Sequence, residues 1–454
     1  MPPPACSGPA TRREFLRAGT LALGGLTLPQ LLAAREQAGN ATKPTSVILF
    51  WMWGGPSQLE SWDPKPQAPS EYRGPLNTIP TKIPGLDICE IFPRIAQLAD
   101  KLSFIRSVHH TMDAHNDGSI EMLTGKTPTR PDPSSQAHSE HPDFGVITSR
   151  LRGRNDAGMP QYVGIPRQPF MIRSAYLGAS HAAYASGDPS VEKYSAPNLQ
   201  IAAGMEGSRL DHRRELLAQF DNFRRDLDLN NSLVGTSDFQ QHAFQILTSN
   251  RVAHAFDLST EPDQLRDKYG RHLWGQSCLL ARRLAESGVA VITIDALAPV
   301  VPNPRYFSWD DHAIPDYKWD IVEAMKFRAL YMEQAVGTLI EDLYERGLDQ
   351  QVLLVAMGEF GRTPRYYDLK GYGGRNHWPQ AQSIFMSGGG LRMGQVIGAT
   401  NSKAEHPAER PVTPQEVLAT IYHHLGIDPS HEFLDFQGRP IPILNNPSPI
   451  QELL

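Results

Sequence analysis

Continuous apolar runs, each closed by a turn, recur along the chain. The first is Ser46-Val47-Ile48-Leu49-Phe50-Trp51-Met52-Trp53, ending in Gly54-Gly55-Pro56. A run without polar alternation, bounded by a turn, is the pattern of a strand buried on both faces. Shorter runs follow at Leu102–Val108, Val289–Ile294, Val352–Met357 and Ser383–Met386. Between them the apolar period changes to that of helices, over Gly207–Asp228, Arg271–Ser287 and Trp319–Arg346. The last is expected to start near Asp316 and to close on Glu345-Arg346-Gly347, a cation in the final turn before a glycine C-cap. Thr413-Pro414 opens another, with Thr413 as N-cap and Pro414 at the first helical position. Strands alternating with helices predict an α/β fold, a mainly parallel sheet sandwiched by helices. Thr127–Pro142, rich in Pro and Ser, reads as a long surface loop, and residues 160–200 as a substrate-side insertion, so loop insertions occupy about 127–200. No boundary divides residues 41–454, which read as a single domain.

Composition then removes whole classes of function. The 454 residues carry 43 Lys+Arg against 49 Asp+Glu, a net charge of −6. That excludes a basic protein that holds nucleic acid through its phosphates. Cys6, Cys89 and Cys278 are too few and too scattered for a disulfide framework. The first forty residues differ from the rest. Thr11-Arg12-Arg13-Glu14-Phe15-Leu16 precedes the uncharged stretch Ala18–Ala34, which ends in small residues. These are the three parts of an export signal, and the paired arginines before Phe-Leu resemble the twin-arginine motif. The expectation is a protein exported to the periplasm or beyond, with residues 1–40 as signal and linker. No run of 18 apolar residues exists, so no membrane span remains once the signal is removed.

Ligand sites in open α/β sheets lie beyond the carboxyl ends of the strands. Those segments are rich in donors here. Gly54-Gly55-Pro56-Ser57-Gln58, with Glu60 and Asp63, follows the first run; His109-His110, Asp113, His115, Asn116 and Asp117 follow the second. Asp295 and then Asp310-Asp311-His312, Glu359 with Arg362, and Arg375-Asn376-His377 complete the series. A divalent cation such as zinc takes imidazoles and carboxylates at ~2 Å. Asp310, His312 and His377 are the most economical three-ligand set, with a position left for water. Glu359 and His115 complete it or hold a second ion; zinc is expected first, with calcium or manganese as alternatives. Such an ion would bring the pKa of its water toward ~7. Of the neighbours His109 and His110, at most one can face a shared site. Arg362 and Arg375 are candidate anion clamps, since guanidinium forks match tetrahedral oxyanions. Trp51, Trp53 and Trp309 read as core or pocket wall.

At these residues the chain resembles the domain of unknown function 1501 family (DUF1501), exported bacterial proteins grouped with the alkaline phosphatase and sulfatase superfamily. The resemblance runs from Ser46 to Leu444. It is carried by Gly54-Gly55-Pro56-Ser57 with Asp63-Pro64-Lys65-Pro66, Trp309-Asp310-Asp311-His312, Gly358-Glu359-Phe360-Gly361-Arg362-Thr363-Pro364 and Gly374-Arg375-Asn376-His377-Trp378-Pro379. It implies an alkaline phosphatase/sulfatase-like fold and one metal centre of the Asp/His/His type at Asp310, His312 and His377. The other centre departs from the superfamily pattern. Sulfatases carry a nucleophile nine residues before Thr-Gly-Arg; here His115 stands nine residues before Thr124-Gly125-Lys126, where a Ser, Thr or Cys would serve. An Asp-His-Gly or Asp-Asn-Gly reads Glu359-Phe360-Gly361, and Asn376 stands where the family commonly has Asp.

Two functions follow as expectations. One is an exported metal-dependent hydrolase of phosphate or sulfate esters, acting on a small-molecule or glycan ester with a metal-activated water. In it Glu359 is ligand or general base, His115 ligand or nucleophile, and Arg362 stabilises the developing charge. The alternative is a catalytically inactive sulfatase-like binding or assembly protein, whose aromatic segment Tyr162–Tyr194 takes a glycan or protein partner.

Overall fold

The computed structural model describes residues 45–153, 155, 158–197, 250–300 and 306–454. The expected export signal, the helix expected over Gly207–Asp228 and the last residues of the 127–200 insertion lie outside them.

The first apolar run forms strand β1, Ser46–Trp51, buried at every position. Its side chains divide by parity between two cores: Val47, Leu49 and Trp51 face one layer, Ile48, Phe50 and Met52 the other. That is why the run lacks alternation, because both faces are covered. Each fully buried Val, Ile, Leu or Phe contributes roughly 1.5–3 kcal/mol. Among the described residues, seven further strands join the same sheet: β2 (Ser103–Val108), β3 (Tyr162–Ile165), β4 (Tyr184–Ala185), β5 (Val291–Asp295), β6 (Val352–Met357), β7 (Gln382–Gly388) and β8 (Gln395–Ile397). Their order is β8-β2-β7-β6-β1-β5-β3-β4. β1 pairs parallel with β5, where Trp51 stands opposite Asp295, and with β6, where it stands opposite Met357. Only β7 is reversed, antiparallel to both β6 and β2. The link from β6 to β7 carries no helix, so the chain returns beside β6 without the crossover that parallel pairing needs.

Helices α1 (His115–Thr124), α2 (Phe144–Arg152) and α5 (Pro414–Leu425) cover the face of Val47 and Leu49; α3 (Leu273–Glu286) and α4 (Ile321–Glu345) cover the opposite face. The α5 start carries a full capping box, Thr413 with Glu416. The α4 start is later than Asp316: Pro315–Tyr317 make a 3₁₀ turn, and Asp320 is the N-cap, accepting from Val322 N at 2.9 Å and Glu323 N at 3.1 Å. The 127–200 stretch is also more than loop. Residues 127–142 hold no helix or strand, but α2, β3 and β4 follow and extend the sheet. Four- and two-residue strands fall below what an apolar pattern reveals.

Candidate metal centre

The carboxyl ends of β1, β2, β5 and β6 all open on one edge, and the loops beyond them converge there. Gly54, just past β1, has φ +113, and a Cβ on it would lie 2.4 Å from the Asp310 amide nitrogen. Only glycine lets the first turn and the Asp310 loop meet this closely. Its N–H donates to Glu359 Oε1 at 2.7 Å, tying the β6 loop to the β1 turn.

Asp310 is the hub. His312 Nε2 lies 2.9 Å and His377 Nε2 3.2 Å from its Oδ1, and His115 Nε2 lies 3.2 Å from its Oδ2. Arg362 Nη2 donates to Oδ1 at 2.6 Å. Burial opposes the charge on Asp310, but Arg362 and the three imidazoles outweigh it and hold the carboxyl well below the usual range. His115 is the first residue of α1. Its Nδ1 donates to Glu359 Oε1 at 2.6 Å, and its ring packs against His377, Trp53 and Phe360. Burial works against an imidazolium there, yet Asp310 and Glu359 on either side push its pKa up to about 9. His377 moves the other way: burial lowers it, with Asp310 offsetting only part.

The donor set suits a cation. His377 Nδ1 donates to the Asp113 carbonyl at 2.6 Å and His312 Nδ1 to Asn376 Oδ1 at 3.1 Å. With Nδ1 donating, a singly protonated ring turns a bare Nε2 inward, and these two atoms sit 3.1 Å apart beside a carboxylate oxygen. Arg362 meets these lone pairs from one side, through Asp310 Oδ1 and His312 Nε2, and a cation would meet them from the other. His115 Nε2 stands 3.2 Å from Asp310 Oδ2, and Glu359 Oε2, wholly buried, has no hydrogen-bond partner among the described residues. His115, Asp310 and His377 each offer a ligand atom within 4.8 Å of the others.

All of the expected donors, Asp310, His312, His377, His115 and Glu359, are brought to this one place. The arginines sit there too, but differently from the expected anion clamps. All five N–H groups of Arg362 point at protein acceptors: Nε at Gly55 O (2.8 Å), Nη1 at Arg375 O and His312 Nε2, and Nη2 at Gly54 O, Trp309 O and Asp310. Arg375 likewise spends its donors on Glu60, with Nη2 to Oε1 at 2.8 Å, and on the carbonyls of Thr363, Pro364 and Tyr72. Both are fully buried tethers. Of the two adjacent histidines, His110 is buried, donating from Nε2 to Glu359 O at 2.6 Å, and burial lowers its pKa to about 4; it braces the β6 loop from behind. Asp311 faces away from the cluster, paired with Arg328 and accepting from Trp319 Nε1 at 3.1 Å. Asp295 ends β5 beside Arg167 Nε at 3.5 Å, its carboxyl raised by burial to about 6. Trp53 and Phe360 line the cluster as aromatic walls; apolar residues in such runs give no sign of which will reach the edge.

The family described as a protein of unknown function, DUF1501, matches residues 44–454. No curated protein matches the chain. Among solved structures it is similar to a sulfatase from Pseudoalteromonas sp., at 12% identity over 87% of this chain and 70% of that chain, with a TM-score of 0.38. It is also similar to the lipoteichoic acid synthase from Listeria monocytogenes (12%, 85% and 73%, TM-score 0.35). A phosphonate monoester hydrolase from Silicibacter pomeroyi is similar at 12%, 86% and 74%, TM-score 0.33. Likeness at this level says nothing about the reaction.

Proposed function

The chain belongs to the DUF1501 family, and on that footing we propose that it is an exported hydrolase of phosphate or sulfate esters that works with a divalent cation, zinc being the ion its nitrogen-and-carboxylate donors suit best. One observation carries the reading: with Nδ1 of His377 and of His312 donating, their two Nε2 atoms meet 3.1 Å apart beside the Asp310 carboxylate, and among the described residues the buried Glu359 Oε2 has no partner. Asp310, His377 and His115 would hold the ion, with His312 and Glu359 beside them. A cation held there supplies Lewis-acid polarisation of the ester and an activated water. The remaining work falls to the protein. The Asp113 carbonyl and Asn376 fix the tautomers of His377 and His312. Glu359, anchored through Oε1, offers Oε2 as a proton acceptor. Arg362 holds the Asp310 carboxylate in register and leaves no N–H for the substrate.

A second reading, a protein that binds but does not react, is favoured by His115 occupying the helix start in place of a hydroxyl or thiol nucleophile. Elemental analysis separates the two. The proposal expects about one divalent ion per chain, lost in His377→Ala together with hydrolysis of 4-nitrophenyl phosphate or sulfate, in a protein that still melts cooperatively. A folded wild type that holds no metal after incubation with zinc, calcium or manganese sinks the proposal. Export rests on Arg12-Arg13; lysines at both positions should retain the protein in the cytoplasm, and unchanged export would remove the twin-arginine assignment.

A further inference from the structure

Just past the carboxyl end of β3, the loop from Arg167 to Ala175 and the segment from Ala179 to Ala185 line an open, solvent-facing cavity of about 650 Å³. That is within the ~300–1,000 Å³ of small-molecule sites. We propose that it is a subsite for the alcohol portion of the ester, built for a ring that carries a second fixed negative charge; this rests on the hydrolase reading above.

The lining offers two guanidinium groups, Arg167 and Arg173, and among the described residues no carboxylate. Arg167 is anchored on Asp295 at the sheet edge, yet its side chain is 58% exposed. Phe170 presents 45% of its surface. Its ring meets Trp53 edge-on at 5.7 Å, and Trp53 lies 4.8 Å from the ring of His115. A single aromatic side chain thus separates the cavity from the ligand cluster. The walls are tied. Gln168 donates from Nε2 to Ile172 O at 3.0 Å and accepts from Ala183 N at 3.2 Å, joining the two sides. A Cβ at Gly164 would stand 2.3 Å from Gln168 N, so glycine is what lets the loop fold back over β3. A phenyl face with two guanidinium forks recognises a planar or sugar ring bearing an oxyanion. A sulfated sugar and a nucleoside phosphate share that chemistry.

The test is calorimetric titration of the full-length protein with three probes: a disulfated chondroitin disaccharide, adenosine 3′,5′-bisphosphate and uncharged lactose. One anionic probe is expected to bind, identifying the source, and lactose is not. Arg167→Gln/Arg173→Gln should weaken that probe at least tenfold, and Phe170→Ala about threefold. Arg173→Gln alone leaves the Arg167–Asp295 pair intact and should weaken it severalfold, which keeps the test valid if the double variant fails to fold. Failure of both anionic probes to bind the wild type, or undiminished binding by the arginine variants, overturns the subsite. Metal content is measured on the same samples. Metal with no probe binding removes the subsite alone; probe binding by a protein that takes up no metal removes the hydrolase reading and leaves the cavity a ligand site.

Discussion

Two groups of charged side chains share the same sheet edge and differ in how completely they are satisfied. Arg362 and Arg375 are buried, and every N–H they own meets a carbonyl, a carboxylate or an imidazole. In the neighbouring cluster around Asp310, Glu359 Oε2 is buried with no hydrogen-bond partner among the described residues. A buried polar atom left alone costs about 1–3 kcal/mol, more when charged. The chain avoids that cost in one layer and accepts it a few ångströms away. The difference teaches where chemistry belongs: satisfied charge builds the frame, and unsatisfied charge marks the place meant for a partner from outside.

The comparison breaks first at Arg375. Arg375→Leu strands Glu60 inside the protein and should cost ~3–5 kcal/mol in denaturant unfolding. A loss under about 1 kcal/mol would mean the tether layer is not structural. Next, Glu359→Gln keeps an oxygen for Gly54 N–H while placing an amide where Oε2 stood. Metal affinity should fall at least tenfold, and unfolding should change by no more than about 1 kcal/mol. Equal zinc affinity in titrations of variant and wild type would show that the Oε2 charge lies outside the ion's surroundings. The smallest effect is a gain. Asn376→Asp gives His312 Nδ1 a charged acceptor at 3.1 Å and should tighten zinc severalfold, since partners of this kind are worth about 10–100-fold. Weaker binding would remove His312 from the metal's surroundings.

Much of the frame was legible before any coordinates. The unbroken run Val47–Trp51, closed by a turn, matched a strand covered on both faces, and Thr413-Pro414 with Glu416 was a helix start by its hydrogen-bonding chemistry alone. The topological rule for parallel sheets likewise pointed to the loops that carry Asp310, Glu359 and His377. Strand direction was not legible, because β7 is apolar like its neighbours and apolarity carries no sense of travel. Nor was the use of Arg362. Its partners Gly54 O, Gly55 O and Trp309 O are backbone atoms, which leave no residue-type signature. The Asp113 carbonyl that orients His377 was hidden for the same reason.

The reversed strand β7 also sets an order of events during synthesis. Strand β2 is made early but lies between β7 and β8, both of which leave the ribosome near the end. Until Gln382–Gly388 arrives, β2 has neither of its neighbours, and His377, the last residue of the cluster to be made, precedes that strand by only a few positions. The cluster can therefore assemble only as one of the last acts of folding, after almost the whole chain is in hand. Any cation it takes must be loaded onto a finished protein, and a fragment that stops short of β7 should carry none.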